Sequence, residues 1–151
     1  MPTIATTDWL AIKGMVSSMM ANAATVAPAI AGFAVYDPDT LITPNSDASG
    51  PLPFITLSHV TNDPDRGGRI DPRLIERSGT LMISIQWPVS RPITGTQLIE
   101  MAGQIEAYFP ADTCMTYGPS RLRVLTDAGS LPAYVEGAYR VKVVRVFWSS
   151  K

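Results

Sequence analysis

The sequence contains one cysteine and one histidine among its 151 residues. A single cysteine excludes a disulfide within the chain, and Cys114 and His59 alone cannot complete a zinc site of the usual Cys/His type. The two could form a nucleophile and its base, but nothing nearby suggests an oxyanion hole, and a buried cysteine and a strand-face histidine are commoner. No Gly-rich phosphate loop precedes a helix, and Asp63-Pro-Asp65 matches only the start of a calcium loop. The sequence therefore predicts no catalytic residue, no cofactor and no metal.

Charged residues are also few, at 17% of the chain, and they nearly cancel to a formal net charge of -1. A chain without a surplus of cations is poorly suited to bind nucleic acid or an anionic membrane. No apolar run reaches the roughly 18 residues that a membrane span requires. The first residues lack the basic and apolar regions of a signal peptide, which predicts a cytoplasmic location. At this length, with 46% hydrophobic residues, we expect one domain over residues 1–151.

Residues 79–110 present a strand, a turn and a helix in immediate succession. Every second residue of the strand is large and apolar: Leu81, Ile83, Ile85 and Trp87. After a turn bracketed by two prolines, Thr94 and Gln97 have the spacing of a capping box. The helix that follows carries apolar residues at helical spacing: Leu98, Met101, Ala102, Ile105 and Phe109. This unit predicts a helix packed on a sheet, and we expect it to form the core.

A first helix is predicted over residues 8–27, with Thr7 and Asp8 as N-cap candidates. One stripe of this helix is apolar, but the opposite face is small and neutral, whereas a solvated helix usually carries several ion pairs. The neutral face is either a second packing surface within the domain or a contact with another subunit, and the sequence favours neither. On the second interpretation methionine supplies an adaptable apolar surface. The contact residues are then Met15, Ser18, Met19 and Asn22.

Two long connections separate the predicted elements. Residues 37–53 are rich in proline and small polar residues, so they form a flexible loop or an arm laid on a neighbour, with disorder the simpler expectation. Residues 62–78 join two strands through a loop much longer than the usual two to five residues. This loop carries four charges of each sign: Asp63, Asp65, Arg66, Arg69, Asp71, Arg73, Glu76 and Arg77. We expect a solvated, mobile tip in the free subunit and a protein contact in an assembly.

Alternating patterns predict strands at 53–61 and 79–87, a hairpin at 113–117 and 121–126, and a long strand at 136–148. A short strand at 32–36 has weaker support. The long strand changes the parity of its apolar residues between Val143 and Val144, which indicates a β-bulge or a strand covered on both faces. The expected fold class is α+β: a mostly antiparallel sheet of about four to five strands with two helices packed on one face and a long charged β-hairpin.

Three segments carry a family resemblance: Pro53-Phe-Ile-Thr-Leu57, Arg77-Ser-Gly-Thr-Leu-Met-Ile-Ser-Ile-Gln-Trp-Pro88 and Gly137-Ala-Tyr-Arg-Val-Lys-Val-Val-Arg-Val146. Together with the order of the elements around them, they make the chain resemble the tail terminator proteins of long-tailed bacteriophages, the group that includes the lambda tail terminator. The similarity extends from about residue 8 to the end of the sequence. Its motifs are packing and turn features, not reactive residues.

The resemblance implies a structural virion protein that forms a six-fold ring on the tail tube, ends tail polymerisation and provides the surface for head-tail joining. Its implied partners are further copies of itself, the tail tube protein and the head-tail connector protein, with DNA only passing through the lumen and no membrane. Its implied location is the virion tail or neck, after assembly in the host cytoplasm. The alternatives are a related head-tail connector or tail completion protein of the neck, and a small cytoplasmic enzyme that uses Cys114 and His59.

Overall fold

The computed structural model describes residues 2–62 and 76–150. The strands, in chain order, are β1 (Ala34–Tyr36), β2 (Ser46–Asp47), β3 (Gly50–Pro51), β4 (Phe54–Thr61), β5 (Ser78–Pro88), β6 (Cys114–Tyr117), β7 (Ser120–Val124), β8 (Gly129–Ser130), β9 (Tyr134–Glu136) and β10 (Tyr139–Ser149). The helices are α1 (Ile4–Ala21), α2 (Ala23–Val26) and α3 (Gly95–Tyr108), with a 3-10 turn at Pro28–Ile30.

Strand β10 is the centre of the main sheet. On one side it pairs with β5 along all eleven of its residues, from Tyr139 opposite Pro88 to Ser149 opposite Ser78. On its other side β9, β8 and β7 pair with it in succession. Beyond β5 lie β4 and then β1, and beyond β7 lies β6. The main sheet therefore ends in two different edge strands, β1 and β6.

The α+β class is confirmed, but this eight-stranded sheet has more strands than the four to five predicted. The two strands that no sequence pattern indicated, β8 and β9, contain two and three residues. A segment of that length holds no more than one repeat of a period-two pattern, so alternation could not indicate it. All pairings in the main sheet are antiparallel except that of β1 with β4.

The change of parity in β10 comes from burial on both faces, not from a bulge. The register with β5 is unbroken throughout, so no residue is skipped. Val141 and Val143 point to one face and are 1% and 6% exposed, while Val144 and Val146 point to the other and are fully buried. The second of the two interpretations of this strand is therefore correct.

Helix α3 forms as its sequence predicts. The Thr94 side chain accepts a hydrogen bond from the Gln97 N–H at 3.1 Å, and the Gln97 side chain accepts one from the Thr94 N–H at 3.0 Å. The predicted apolar face is buried with the sheet residues in one cluster: Leu98, Met101, Ala102, Ile105 and Phe109. Burial of each large side chain stabilises the fold by about 1.5–3 kcal/mol.

Helix α1 begins earlier than predicted and is interrupted. Its N-cap is Thr3, whose hydroxyl accepts a hydrogen bond from the Thr6 N–H at 3.3 Å, so neither Thr7 nor Asp8 is the cap. At Asn22 the side-chain amide donates to the Ser18 carbonyl at 2.9 Å. An asparagine that bonds the backbone in this way competes with the helical pattern, and the helix is divided there into α1 and α2.

The proline-rich segment 37–53 is the connection between two parallel strands. Ala34 lies opposite Phe54 in the β1–β4 pair, and parallel strands need a crossover of about a dozen residues or more. A connection of this length is therefore needed to join β1 to β4 within one subunit. Part of it is folded, because β2 and β3 form a small hairpin of their own. The expectation of disorder is not met for this hairpin.

Gly79 allows the sheet to close over Trp148. The two residues lie opposite each other in the β5–β10 pair, and Trp148 is completely buried. A Cβ atom on Gly79 would lie 2.6 Å from the Val60 carbonyl oxygen and 2.7 Å from the Trp148 ring. These distances are shorter than van der Waals contact, so only glycine fits at this position.

Candidate assembly surfaces

The two residues considered for catalysis lie far apart in the sheet. His59 is on β4 and Cys114 is on β6, with β5, β10 and β7 between them. Cys114 is exposed, which corrects the expectation of a buried cysteine. Cys114 and Met115 are neighbours on β6 and point to opposite faces of the sheet, and only the face of Met115 is covered by the core. No group of three metal-ligating side chains occurs in residues 2–62 and 76–150.

His59 is a strand-face histidine, as predicted. Its ring stacks between Trp9 at 5.4 Å and Trp148 at 5.3 Å, measured between ring centroids. Burial lowers the pKa of His59 below its usual value, and the negative charge of Asp8 opposes that shift. The imidazole therefore packs α1 against the sheet as a neutral aromatic ring. None of the helices described is long and apolar enough to cross a membrane.

A buried polar cluster joins α1 to the start of β5. Asp8, whose side chain is 4% exposed, accepts hydrogen bonds from Arg77 Nε at 2.7 Å and Arg77 Nη2 at 3.1 Å. The Ser120 hydroxyl donates to the same carboxylate at 2.6 Å and lies 2.7 Å from the Thr7 hydroxyl. A two-pronged arginine contact fixes both distance and orientation. This cluster holds the chain at the point where it enters β5.

The charged hairpin was the main predicted contact, and its two strands pair as expected. Thr61 lies opposite Gly79, and the Asn62 N–H donates to the Ser78 carbonyl at 2.9 Å. Six of the predicted contact residues lie outside the described part of the chain: Asp63, Asp65, Arg66, Arg69, Asp71 and Arg73. Glu76 is half-buried. Arg77 is engaged with Asp8 of its own chain, and its side chain remains 28% exposed.

The neutral face of α1 is accessible at three of the four predicted contact positions. Ser18 and Asn22 are exposed and Met15 is half-buried. Met19 is completely buried in the core cluster, which corrects its assignment to the contact surface. Met19 lies three residues after Val16 and seven after Ile12, and this spacing places it on the inward stripe of the helix.

A shallow groove runs between α1 and the edge strand β6. Residues from both elements line it: Ala11, Gly14, Met15, Ser18, Cys114, Met115 and Thr116. Its volume is about 230 Å³. Two of the helix residues predicted to contact another subunit, Met15 and Ser18, therefore line an open groove whose walls are partly polar and partly apolar.

The arm, residues 37–53, is attached to the turn before α3 by Arg91. The Nε of Arg91 donates to the Pro51 carbonyl at 2.6 Å. The Nη2 of Arg91 donates to the Gly50 carbonyl and to the Asp47 carboxylate. The Ser49 N–H and the guanidinium of Arg91 lower the pKa of Asp47. Arg91 thus holds the small β2–β3 hairpin in place.

The other end of the arm is attached to α1. Lys13 contacts the Asp37 carboxylate at 2.8 Å, and this contact lowers the pKa of Asp37 and raises that of Lys13. The Tyr36 hydroxyl donates to the Thr43 carbonyl at 2.7 Å. Between these attachments Leu41 is 81% exposed and Ile42 is 50% exposed. We call these two residues the arm tip.

Three positioning residues, Arg91, Asp8 and Ser120, were not among the predicted site residues. Asp8 contacts partners 69 and 112 residues away in the sequence, and no local pattern can indicate a pair at that separation. Arg91 stands between two prolines that marked a turn. The only indication in the sequence that this turn makes a contact was the presence of a large cationic side chain between the two prolines.

A model of the phage tail terminator protein family matches residues 15–148. The chain belongs to this family. As a phage tail terminator, it has a structural role in the phage tail, and the family is one of virion structural proteins and not of enzymes. The resemblance found in the sequence is therefore confirmed at the level of the family.

No curated protein matches the chain in sequence. A solved structure that carries no functional name aligns with a TM-score of 0.56 and 15% identity, over 92% of this chain and 95% of its own. At that identity the likeness supports the fold of the tail terminator and nothing about its partners.

Proposed function

We propose that the tail terminator subunit forms a closed ring of six copies on the end of the tail tube. The ring stops further addition of tube subunits, and its opposite face joins the head-tail connector protein. The family match over residues 15–148 carries this proposal. The two different edge strands, β1 and β6, support it, because a head-to-tail contact between unlike surfaces closes into a ring when the rotation fits.

The partners of the ring follow from its position between tube and head. One face contacts the tail tube protein and the other contacts the connector, while DNA passes through the lumen. A subunit with a formal net charge of -1 does not grip the phosphate backbone, which suits passage of DNA in either direction. The assembled protein is part of the virion neck, and its assembly takes place in the host cytoplasm.

The contact residues within this assembly are the charged hairpin and the accessible part of the neutral face of α1. For the helix these are Met15, Ser18 and Asn22. For the hairpin we propose the charged side chains of the loop that joins β4 to β5. They pair with complementary charges on a neighbouring subunit or on the tube. Exposed pairs contribute about 0–1 kcal/mol each, so their effect depends on repetition around the ring.

Tail length measured by electron microscopy tests the proposal. Tails assembled without the protein are expected to be heterogeneous in length, and addition of the purified protein should restore one length and joining to heads. Reversing the charges of Arg66, Arg69 and Arg73 together should reproduce the defect without a change in the melting temperature of the subunit. Tails of uniform length that fail only to join heads, in the absence of the protein, would instead identify it as a head-tail connector.

A further inference from the structure

We propose that helix α3 of one subunit packs on the outer face of the sheet of the next subunit in the ring. This inference rests on the proposed ring and names the interface that closes it, with a second copy of the same chain as the occupant. The outer face is the side of the main sheet that is turned away from α1 and α3. Each of the two surfaces consists of an apolar strip between two charged side chains, and the charges on the two surfaces have opposite signs.

The helices cover only one face of the main sheet. The core cluster takes in strand residues of that inner face, such as Leu81, Ile83 and Val146, and, within residues 2–62 and 76–150, none of those that alternate with them. The outer face is closed near Phe54 and Val141, which are buried, and it opens toward the β4–β5 hairpin. There the strand pairing places four side chains in one row across the sheet: Val60, Thr80, Phe147 and Leu125.

This row, which we call the outer row, is largely apolar and exposed. Val60 is 50% exposed, Phe147 is 38% exposed and Leu125 is 46% exposed. Single apolar residues are common on protein surfaces, whereas apolar side chains that adjoin one another in a patch mark an interaction site. The alignment of three such residues across neighbouring strands therefore indicates a surface that is covered in the assembly.

An arginine lies on each side of the outer row. Arg145 precedes Phe147 by two residues on β10, and Arg123 pairs with Ser149, two residues after Phe147. The Nε atom of each arginine is enclosed and has no hydrogen-bond partner within residues 2–62 and 76–150. The Asp112 carboxylate lies 3.6 Å from Arg123 Nε, which is beyond hydrogen-bonding distance. An enclosed donor without an acceptor costs free energy, so the two arginines indicate an anionic partner.

The exposed face of α3 has the complementary pattern. Ile99 is 63% exposed, and at 3.6 residues per turn Gly103 and Ala107 continue the same strip along the helix. Glu100 lies at one border of this strip and Glu106 at the other. The 14 residues of α3 include these two acidic side chains and no basic one. The helix therefore presents an apolar strip between two negative charges.

The two patterns match in size as well as in sign. Glu100 and Glu106 project from the borders of a helix whose diameter with side chains is about 10–12 Å. The rows of Arg145 and Arg123 are separated by four residue positions of β10, or about 13 Å. A helix laid along the outer row thus brings a carboxylate to each guanidinium and places Ile99 on the apolar side chains. Opposite charges favour this contact over one between two sheets or two helices.

The positions of the two surfaces suit a ring. Helix α3 packs on the inner face of the sheet, so its exposed strip and the outer row lie on opposite sides of the subunit. A contact between two unlike surfaces of this kind is heterologous, and it can continue from subunit to subunit until the ring closes. The outer row also distinguishes this partner from DNA, because a phosphate backbone is bound by cationic and polar groups and not by apolar side chains.

Charge reversal on the two surfaces tests the contact. Glu100→Lys with Glu106→Lys changes only the surface of α3, so the subunit should keep its melting temperature but lose the ring in size-exclusion chromatography with light scattering. Arg123→Glu with Arg145→Glu should lose the ring as well. The four changes together restore opposite charges at the original net charge, and we expect the ring to return. A loss caused by misfolding would not be rescued in this way.

Asp39→Lys is the matched control for the single change Glu100→Lys. Both carboxylates are exposed. Each accepts one side-chain hydrogen bond, Asp39 from Trp9 and Glu100 from Gln104. Asp39 lies beside the arm tip, outside both surfaces, so Asp39→Lys should assemble like the unmodified chain. Glu100→Lys should need a higher protein concentration to form the ring.

Chemical cross-linking identifies the partner directly. Cys114 is the only cysteine of the chain, so Cys114→Ser gives a background without thiols. In this background Thr80→Cys marks the outer row and Gly103→Cys marks α3, where a Cβ atom would meet nothing within 4 Å. With a short bismaleimide, the variant that carries both cysteines should give a ladder of covalent oligomers up to the size of the ring. Either cysteine alone should give at most a dimer.

The outcomes separate the interface from the ring itself. If the unmodified chain forms no ring, with or without tail tubes, the proposed function fails. If it forms a ring but the α3 double variant assembles normally, or the rescue or the ladder is absent, the ring stands and the docking of α3 is wrong. If the double arginine variant forms normal rings whose tails retain DNA less well, the arginines face DNA and the docking is again wrong. Loss of the ring in both double variants, rescue by their combination and the ladder together establish the interface.

Discussion

Two arginines attach connecting segments to the core of this tail terminator, and their surroundings differ. Arg77 holds the start of β5 through Asp8, whose side chain is 4% exposed, whereas Arg91 holds the arm through Asp47, whose side chain is 48% exposed. A carboxylate removed from water depends on its protein partners, because solvent cannot replace them. An exposed carboxylate loses little when its partner is removed. The first arginine therefore stabilises the subunit, and the second only positions a surface segment.

The largest expected effect is the loss of the buried pair. Arg77→Ala leaves the Asp8 carboxylate buried without its cation, and we expect the free energy of unfolding to fall by about 3–5 kcal/mol. A urea titration measures this change. The double variant with Asp8→Ala should lose less than the sum of the two single variants, because the uncompensated charge has been removed. A loss below 1 kcal/mol for Arg77→Ala would mean that water reaches the carboxylate.

A smaller loss is expected at the other donor of the same cluster. Ser120→Ala removes the hydroxyl that donates to Asp8 at 2.6 Å and contacts Thr7. We expect a cost of about 1–3 kcal/mol, since a hydrogen bond to a buried charged group is lost while the ion pair is kept. Ser90→Ala in the exposed turn before α3 serves as the control and should change stability by less than about 0.5 kcal/mol.

The exposed arginine should affect one segment and not the whole subunit. Arg91→Ala removes the donors to Asp47, Gly50 and Pro51, and we expect the free energy of unfolding to fall by no more than about 1 kcal/mol. Hydrogen exchange and proteolytic cleavage within the arm should nevertheless become faster, because the β2–β3 hairpin loses its attachment. A stability loss as large as that of Arg77→Ala would remove the distinction between the two sites.

The smallest effect concerns the pH dependence contributed by His59. Burial lowers its pKa in the folded subunit, so the unfolded chain takes up the proton first, near pH 6.5. Stability should therefore decrease as the pH falls below about 6.5, by no more than about 1.4 kcal/mol per pH unit. His59→Phe should remove this slope in thermal unfolding between pH 7 and 5. Unchanged slopes in the two proteins would assign the dependence to carboxylates.

Local features of the sequence predicted the elements better than the contacts among them. The capping box of Thr94 and Gln97 lies within four residues, and α3 formed where it was expected. Asp8 resembled an N-cap, but its role depends on Arg77 and Ser120, which only the folded chain brings to it. Cys114 was expected to be buried because that is the usual state of a lone cysteine, and its place on an edge strand could not be inferred from the residues around it.

The central position of β10 has a consequence for the synthesis of the protein. Strands β5, β7, β8 and β9 all take this later strand as a partner. A nascent chain that has not reached residues 139–149 can form α1, α3 and the β4–β5 hairpin but cannot complete the sheet. Because chains grow at about 5–20 residues per second, the unfinished subunit exposes apolar strand faces for several seconds. The sheet can therefore be completed only after Trp148 has been synthesised. Chains shortened by a premature stop codon should aggregate or be degraded.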